Sequence, residues 1–421
     1  MKRCTHAHAQ MLLRSGRVRS FSLWDVEMHS HDFSSALRQL SEPAAAALLQ
    51  EVEIDGVLGL SGRSLLDLGS LENLEELSLT YDCHRELDEL VAQAEKTEDT
   101  LWPRLRCFSY GDYFSGVSKR TVCYLLSHCT QLAELRADIS AALLELHEEQ
   151  FLQEARLACR YRLQKTALGS FVYGSDQRQG EQSAKEPETC GPSPLCVQIA
   201  SVACPKLVDL DMYVDSHESV MALAEFSHLR YLKLMWVSSS QVGCFETSAL
   251  GLLHEVGCQL AELCLHSFVR VDLNAVAFLC PSLEAFGLIQ CRTVANHVPV
   301  SRPFASLSKV RFIPPPDYPC IQAEDDLCCV LGSCSALKSF VVDLVSDDFE
   351  LLVDRLLESA DSGFRNVELA GLYFQQPTTT PATKDGVLRL LLACEALRYV
   401  RVNLYNEQWN RNRKVLPRRN D

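Results

Sequence analysis

The stretch "CPSLEAFGLIQC", residues 280–291, decides how the whole chain is read. Between its two cysteines stand apolar residues at Leu283, Phe286 and Leu288. Either the cysteines are a metal or redox pair, or the spacing is a repeat in which cysteines fill structural positions. The same spacing, apolar-x-x-apolar-x-apolar, recurs at Val18/Phe21/Leu23, Leu49/Val52/Ile54, Leu74/Leu77/Leu79, Leu105/Phe108/Tyr110, Leu132/Leu135/Ala137, Leu207/Leu210/Met212 and Leu229/Leu232/Leu234. It continues at Leu260/Leu263/Leu265, Leu283/Phe286/Leu288, Leu307/Val310/Phe312, Leu337/Phe340/Val342, Phe364/Val367/Leu369 and Leu397/Val400/Val402, thirteen copies in all. Apart from one interval of 75 residues after Leu132, successive first anchors lie 22 to 33 residues apart, a regularity that scattered apolar triplets do not produce.

Each copy reads as a short strand, because the last two anchors are two apart and face one side of an extended chain. Amphipathic segments follow most copies, among them "RELDELVAQAEK" after Leu79, "FETSALGLLHEV" after Leu234 and "SDDFELLVDRLLESA" after Val342. Neither strand nor helix buries its apolar face alone, so neighbouring repeats must supply the core. The expected fold is therefore α/β, a solenoid with the period of leucine-rich repeats, with a parallel inner sheet and outer helices bent into a horseshoe. One such domain of thirteen or fourteen repeats is expected over 1–421. A degenerate copy is placed at Leu168/Phe171/Tyr173 after a helix over 141–164, a disordered insertion over 174–195, and a basic tail over 403–421.

Cysteines stand three positions before the first anchor at Cys129, Cys204, Cys280, Cys334 and Cys394, with Cys258 one position off. Such a junction between helix and strand is a tight buried corner, and a free thiol behaves there as a small apolar side chain. Cys291 stands after its strand, where a polar atom can pair with the backbone. With 19 cysteines, no C-x-x-C pair and no N-x-S/T sequon, the chain is expected in a reducing cytoplasm or nucleus.

At 421 residues the chain exceeds the size of one compact core, and its 47% hydrophobic and 23% charged content is that of a folded protein. A formal charge of −15 argues against a general nucleic-acid binder. The amino terminus lacks the apolar stretch of a signal peptide, and the most apolar window, 330–345, is broken by Lys338 and Asp343, so no membrane association is expected. There is no Walker A loop, G-x-G-x-x-G or H-E-x-x-H sequence. No cofactor, metal site or catalytic centre is expected: His29, His31 and Asp32 alternate on what reads as a loop, and the pairs Asp325/Asp326 and Asp347/Asp348 read as favourable charges preceding helices.

The segments "CPKLVDLDM", "CQLAELCL", "CPSLEAFGLIQC", "CSALKSFVV" and "CEALRYVRV" resemble the cysteine-containing leucine-rich repeats of F-box proteins, whose fold is like that of ribonuclease inhibitor. The resemblance implies a substrate-recognising array for an SCF-type ubiquitin ligase. The lead before Val18 and the tail after Val402 are too short for an F-box, so SCF components would be met in trans. Two rival readings are a hydrolase or thiol enzyme grafted on the array, which a perturbed His or Cys in a closed pocket would favour, and an extracellular receptor fragment, which the missing sequons oppose.

If the anchors face the core, residues two, four and six after each first anchor face the hollow of the horseshoe. This picks out Glu51, Glu53, Asp55, Glu76, Glu134, Asp209 and Asp211 as an acidic tract, then Tyr213, Tyr231 and Met235, then His266, Lys309 and Arg311. Carboxylates beside exposed aromatics suit a protein ligand with a basic surface, since aromatics supply contact energy and charge steers approach.

Overall fold

The computed structural model describes residues 19–24, 48–55, 68–69, 71–79, 84–110, 117–154, 160–169, 191–237, 243–294, 304–315, 317–332, 334, 336–344, 349–359, 367–375, 385, 388–389, 392–396 and 399–405. The chain divides into two compact units, Met1–Val214 with Glu225–His228, and Asp215–Ala224 with Leu229–Asp421.

In the first unit the order is β1 (Ser20–Trp24), β2 (Glu51–Asp55), β3 (Glu76–Leu79), α1 (His84–Thr97), β4 (Cys107–Tyr110), α2 (Lys119–His128), β5 (Glu134–Asp138), α3 (Ser140–Glu154), β6 (Lys165–Leu168), α4 (Pro194–Ala203) and β7 (Asp209–Val214). Its strands pair in sequence order, all parallel. The second unit contains α5 (His217–Met221), β8 (Tyr231–Trp236), β9 (Gly243–Cys244), α6 (Ala249–Val256), β10 (Glu262–His266), β11 (Phe268–Val269), α7 (Leu273–Leu279), β12 (Ala285–Ile289), β13 (Lys309–Ile313), α8 (Cys320–Gly332), β14 (Ser339–Leu344), α9 (Phe349–Ser359), β15 (Leu369–Gln375) and β16 (Tyr399–Tyr405). Here β8, β10, β12, β13, β14, β15 and β16 form the parallel sheet, while β9 and β11 make a separate parallel pair. Each unit is thus an α/β solenoid of leucine-rich-repeat type, its anchors buried under helices and its alternate strand face open.

Local sequence accounts for the elements. Ser118, Ser193 and Asp272 cap α2, α4 and α7 by accepting from Thr121 N at 3.2 Å, Cys196 N at 3.2 Å and Asn274 N at 2.9 Å. Pro194 opens α4, where its missing N–H costs nothing. In β3 and β13, burial alternates strictly, with Leu77, Leu79, Val310 and Phe312 inward.

Repeats are joined by a backbone device. The carbonyl of the residue before a strand accepts two consecutive N–H groups from the next repeat: Gln50 from Glu75 and Glu76, Glu75 from Arg106 and Cys107, and Ala133 from Gln164 and Lys165. The second unit repeats it, with Ala261 accepting from Glu284 and Ala285, and Glu284 from Ser308 and Lys309. Three residues before the first anchor, a second device closes the corner: the carbonyls of Leu71, Trp102, Cys129, Cys204, Gly257, Cys280 and Phe304 accept from Leu74, Leu105, Leu132, Leu207, Leu260, Leu283 and Leu307.

The junction cysteines occupy those corners. Cys129, Cys204, Cys280, Cys334 and Cys394 are all buried, and burial pushes the thiols of Cys129, Cys280 and Cys334 up to about 12. Cys258 is exposed because Gly257 takes the corner, where a Cβ would come within 2.8 Å of the Leu279 carbonyl oxygen. Cys291 donates its thiol to the Leu265 carbonyl at 3.2 Å, a structural use that answers the opening stretch. The fourteen cysteines whose side chains are described are all free.

Several expectations are corrected. The extra repeat exists, but its anchors are Leu163, Thr166 and Leu168: Thr166 pairs with Leu135 and Leu210, and all three are buried. Accordingly the preceding helix ends at Glu154, ahead of the 164 expected. β15 is slipped by three from Phe364/Val367/Leu369, since Phe340 pairs with Ala370 and Val342 with Leu372. Asp325 and Asp326 lie inside α8, which begins at Cys320, and do not precede a helix. Most of the 174–195 segment, the tail beyond 405, and His29, His31, Asp32, Asp347 and Asp348 lie outside the described residues; Pro194 and Leu195 open α4.

Candidate protein-binding face

In the first unit, register places Ser20, Glu51, Glu76, Cys107, Glu134, Lys165 and Asp209 in one row across the open face. Glu53 lies in the next row with Ser22 and Ser78, and Asp211 is opposite Ala167. Asp55 is placed by backbone pairing with Trp24, but its side chain lies outside what is described. The acidic tract is partly neutralised. Arg136 Nη2 contacts Glu134 at 3.2 Å, and Lys165 Nζ pairs with the Asp209 carboxylate. Lys165 was not legible as a face residue because Thr166 disguised its repeat.

The third row turns inward. Asp138, half-buried, accepts from Ser140 N and Gly169 N, each at 2.9 Å, so its carboxylate is engaged by backbone. Tyr213 is 2% exposed and Met235 6%, which removes both from the exposed anchors expected of them. The reason at Tyr213 is Gly169: with φ +78° and no side chain, it lets Tyr213 fold over it, and a Cβ there would sit 3.1 Å from the Tyr213 Cβ. Tyr231, 39% exposed, remains on the surface.

In the second unit the first row runs Tyr231, Glu262, Ala285, Lys309 and the second Lys233, Cys264, Gly287, Arg311. Gly287 is required, because a Cβ would come within 2.8 Å of Cys264 Sγ. Ala285, Gly287 and Cys264 therefore form a low floor, with Lys233 on one side and Lys309 and Arg311 on the other. Three strand intervals of about 4.8 Å set Lys233 and Arg311 about 14 Å apart along the row. His266 adjoins the floor, with Nδ1 2.9 Å from Ser267 Oγ. Burial, then Lys233 and Arg311, push its imidazole down to about 4, so it is neutral at ordinary pH. The same alternation puts Lys233, Cys264, Ala285 and Gly287 on the open face, but their meaning as a floor and the face position of Lys165 escaped the sequence reading; the small pair Ala285 and Gly287 was the available signal.

His266 offers a direct check. Its NMR titration midpoint should lie near 4, and the Lys233→Met/Arg311→Met variant should raise it while leaving it below the ordinary imidazole value of 6.5, since burial is the larger cause. A wild-type midpoint at 6.5 would refute this geometry.

Among the described residues no group of three or more His, Cys, Asp or Glu side chains is arranged to hold a metal ion, and no helix is long and apolar enough to cross a membrane.

No protein-family model matches the chain, and no curated protein matches it in sequence. Among solved structures it is similar to an internalin from Listeria monocytogenes, at 12% identity over 94% of this chain and 88% of that one, with a TM-score of 0.31. A leucine-rich-repeat protein of Leptospira interrogans is similar at 11% identity over 99% and 92%, with a TM-score of 0.26. The plant peptide hormone receptor RGFR1, in complex with RGF2, is similar at 11% identity over 87% of this chain and 57% of its own, with a TM-score of 0.31.

Proposed function

We propose that the chain is a protein-binding scaffold that performs no chemistry of its own and docks a protein ligand on its open strand faces. The observation that carries this reading is the floor at Gly287, which clears side-chain bulk from the sheet between Lys233 and Arg311 and leaves Tyr231 at its rim. A carboxylate-bearing segment fits that setting, because guanidinium and ammonium donors flank it and an exposed aromatic adds contact area. On the first unit, Glu51, Glu53 and Glu76 suit a basic surface of the ligand.

The resemblance of the cysteine-bearing repeats extends the proposal to substrate recognition for an SCF-type ubiquitin ligase assembled in trans, in the cytoplasm or nucleus. Free cysteines throughout the described residues suit that reducing setting.

Affinity capture from the protein's own cells tests both levels. A Lys309→Glu/Arg311→Glu variant and a Glu51→Lys/Glu76→Lys variant, each checked for native circular dichroism, are compared with the unaltered chain. We expect one protein ligand to be retained by the unaltered chain and depleted at least tenfold by one or both variants. SCF adaptor and cullin subunits should remain with all three. Identical captures would refute docking on the open face, and absence of adaptor and cullin from every capture would refute the ligase assignment alone.

A further inference from the structure

A second feature lies at the amino-terminal edge of strands β4 to β7, away from the open-face rows. The residues just before and just after the first anchors form two short tracks there. Before the anchors stand Arg104, Gln131, Arg162 and Lys206; after them stand Arg106, Ala133 and Gln164. Stacking the repeats turns these positions into the walls of one cavity of about 640 Å³, with Glu75 at one end. Ala133 is its low point, since the residues on both sides of it in the track are long. Arg104 and Arg106 therefore face Arg162 and Lys206 across a short residue.

The charge is unusual for this chain. Four cations and one carboxylate line the cavity, a formal excess of three positive charges, on a protein whose net charge is −15. Glu75, already counted in that excess, lies 3.8 Å from Arg106 Nη1 and accepts from Gln50 Nε2 at 3.3 Å, which leaves Arg104, Arg162 and Lys206 without its charge beside them. The backbone beneath is already satisfied, because the Glu75, Arg106, Ala133 and Gln164 carbonyls each accept two N–H groups from the next repeat. What the cavity offers a ligand is therefore side-chain donors, three guanidinium forks, one ammonium and two amides.

We propose that this cavity binds a small organic polyanion carrying two or more phosphate groups. Guanidinium forks match phosphate oxygens in bidentate pairs, and an ammonium adds a point charge. From Arg104 and Arg106 the stack crosses two strand intervals of about 4.8 Å to Arg162 and three to Lys206, so the cationic walls stand on the order of 10–14 Å apart. One monoanion cannot engage both walls, whereas a compact molecule with two phosphate groups can. A nucleic-acid backbone is disfavoured because the chain carries a formal charge of −15, which repels a long polyanion beyond the cavity.

The site is independent of the open-face reading, and its test uses the full chain with inorganic triphosphate as the probe. Isothermal titration at constant ionic strength compares triphosphate with inorganic phosphate, citrate and a single-stranded oligonucleotide. We expect saturable one-to-one binding of triphosphate, at least tenfold tighter than phosphate or citrate. It should weaken tenfold or more in Arg162→Ala/Lys206→Ala and in Gln131→Glu, and stay unchanged in Lys309→Ala/Arg311→Ala. All substituted side chains are exposed or half-buried, and native circular dichroism verifies folding. Equal affinity in the Arg162/Lys206 variant, citrate binding as tightly as triphosphate, or tighter binding of the oligonucleotide would each overturn the proposal.

Discussion

Replacing Trp102 with alanine will destabilise the first unit by about 3–5 kcal/mol, the range for truncating a fully buried large aromatic. Trp102 is 0% exposed and fills the corner that cysteines fill in other repeats. Its carbonyl accepts from Leu105 N at 3.0 Å, and its indole Nε1 donates to the Leu68 carbonyl at 2.8 Å. Its ring centre lies 6.4 Å from that of Phe108, an inward anchor of β4. Truncation therefore removes core volume and one link between repeats together. The backbone at Trp102 is left-handed, φ 48°, and alanine keeps that strain without the compensating ring. Hydrogen exchange should show accelerated amides in β4, α1 and α2, with α7 and β12 unchanged. A loss below about 1 kcal/mol, or acceleration spread evenly over both units, would contradict the assignment of Trp102 as a corner filler.

Asp326→Asn is expected to remove a pH-dependent contribution to the stability of the second unit. Asp326 is 6% exposed in α8, and its Oδ2 accepts from Thr293 Oγ1 at 2.7 Å and Tyr318 OH at 2.9 Å. Burial raises its carboxyl from 3.8 to about 6; the two hydrogen bonds pull the other way, and Asp325 adds to the rise. Arg355 is engaged by Glu324 at 3.4 Å and by Asp325. Because the folded pKa lies above the unfolded one, the folded state holds its proton more tightly. The stabilisation is complete below about pH 4 and is lost as pH rises through about 6. A shift of about two units corresponds to roughly 3 kcal/mol. Asparagine keeps an acceptor for Thr293 and Tyr318 without the titration. The melting temperature of the unaltered chain should therefore fall relative to Asp326→Asn between pH 4 and pH 7. Parallel curves over that range would refute the buried carboxylate.

Much of this architecture was legible in the sequence because one spacing repeated. Twelve of thirteen anchor triplets fall in the register read from the chain where residues are described, the exception being β15, where Ala370 holds an anchor position that a larger residue usually fills. Thr166 hid a repeat for a related reason: a β-branched residue with a hydroxyl suits a strand but does not read as apolar. The candidate face was less legible. Alternation places every second residue outward, yet strand ends bend, and Tyr213 and Met235 are buried where the rule had them exposed. Charge was harder still, since the cations that neutralise Glu134 and Asp209 come from a neighbouring position and from the hidden repeat. The cavity edged by Arg104 and Lys206 depends on residues brought together only by stacking.

The doubled acceptors at the strand starts bear on how such a chain can change over generations. Where the device is seen, two N–H groups of one repeat grasp a single carbonyl of its predecessor, and that grip involves main chain alone. Any residue that is not proline can serve, so point changes at these positions leave the stacking intact. Insertions are absorbed in the stretch after each strand, which explains anchor intervals as different as 31 residues from Leu229 to Leu260 and 23 from Leu260 to Leu283. A lineage could gain or shed a whole repeat at such a joint, and with it widen or narrow the surface offered to a ligand, without redesigning the repeats that remain.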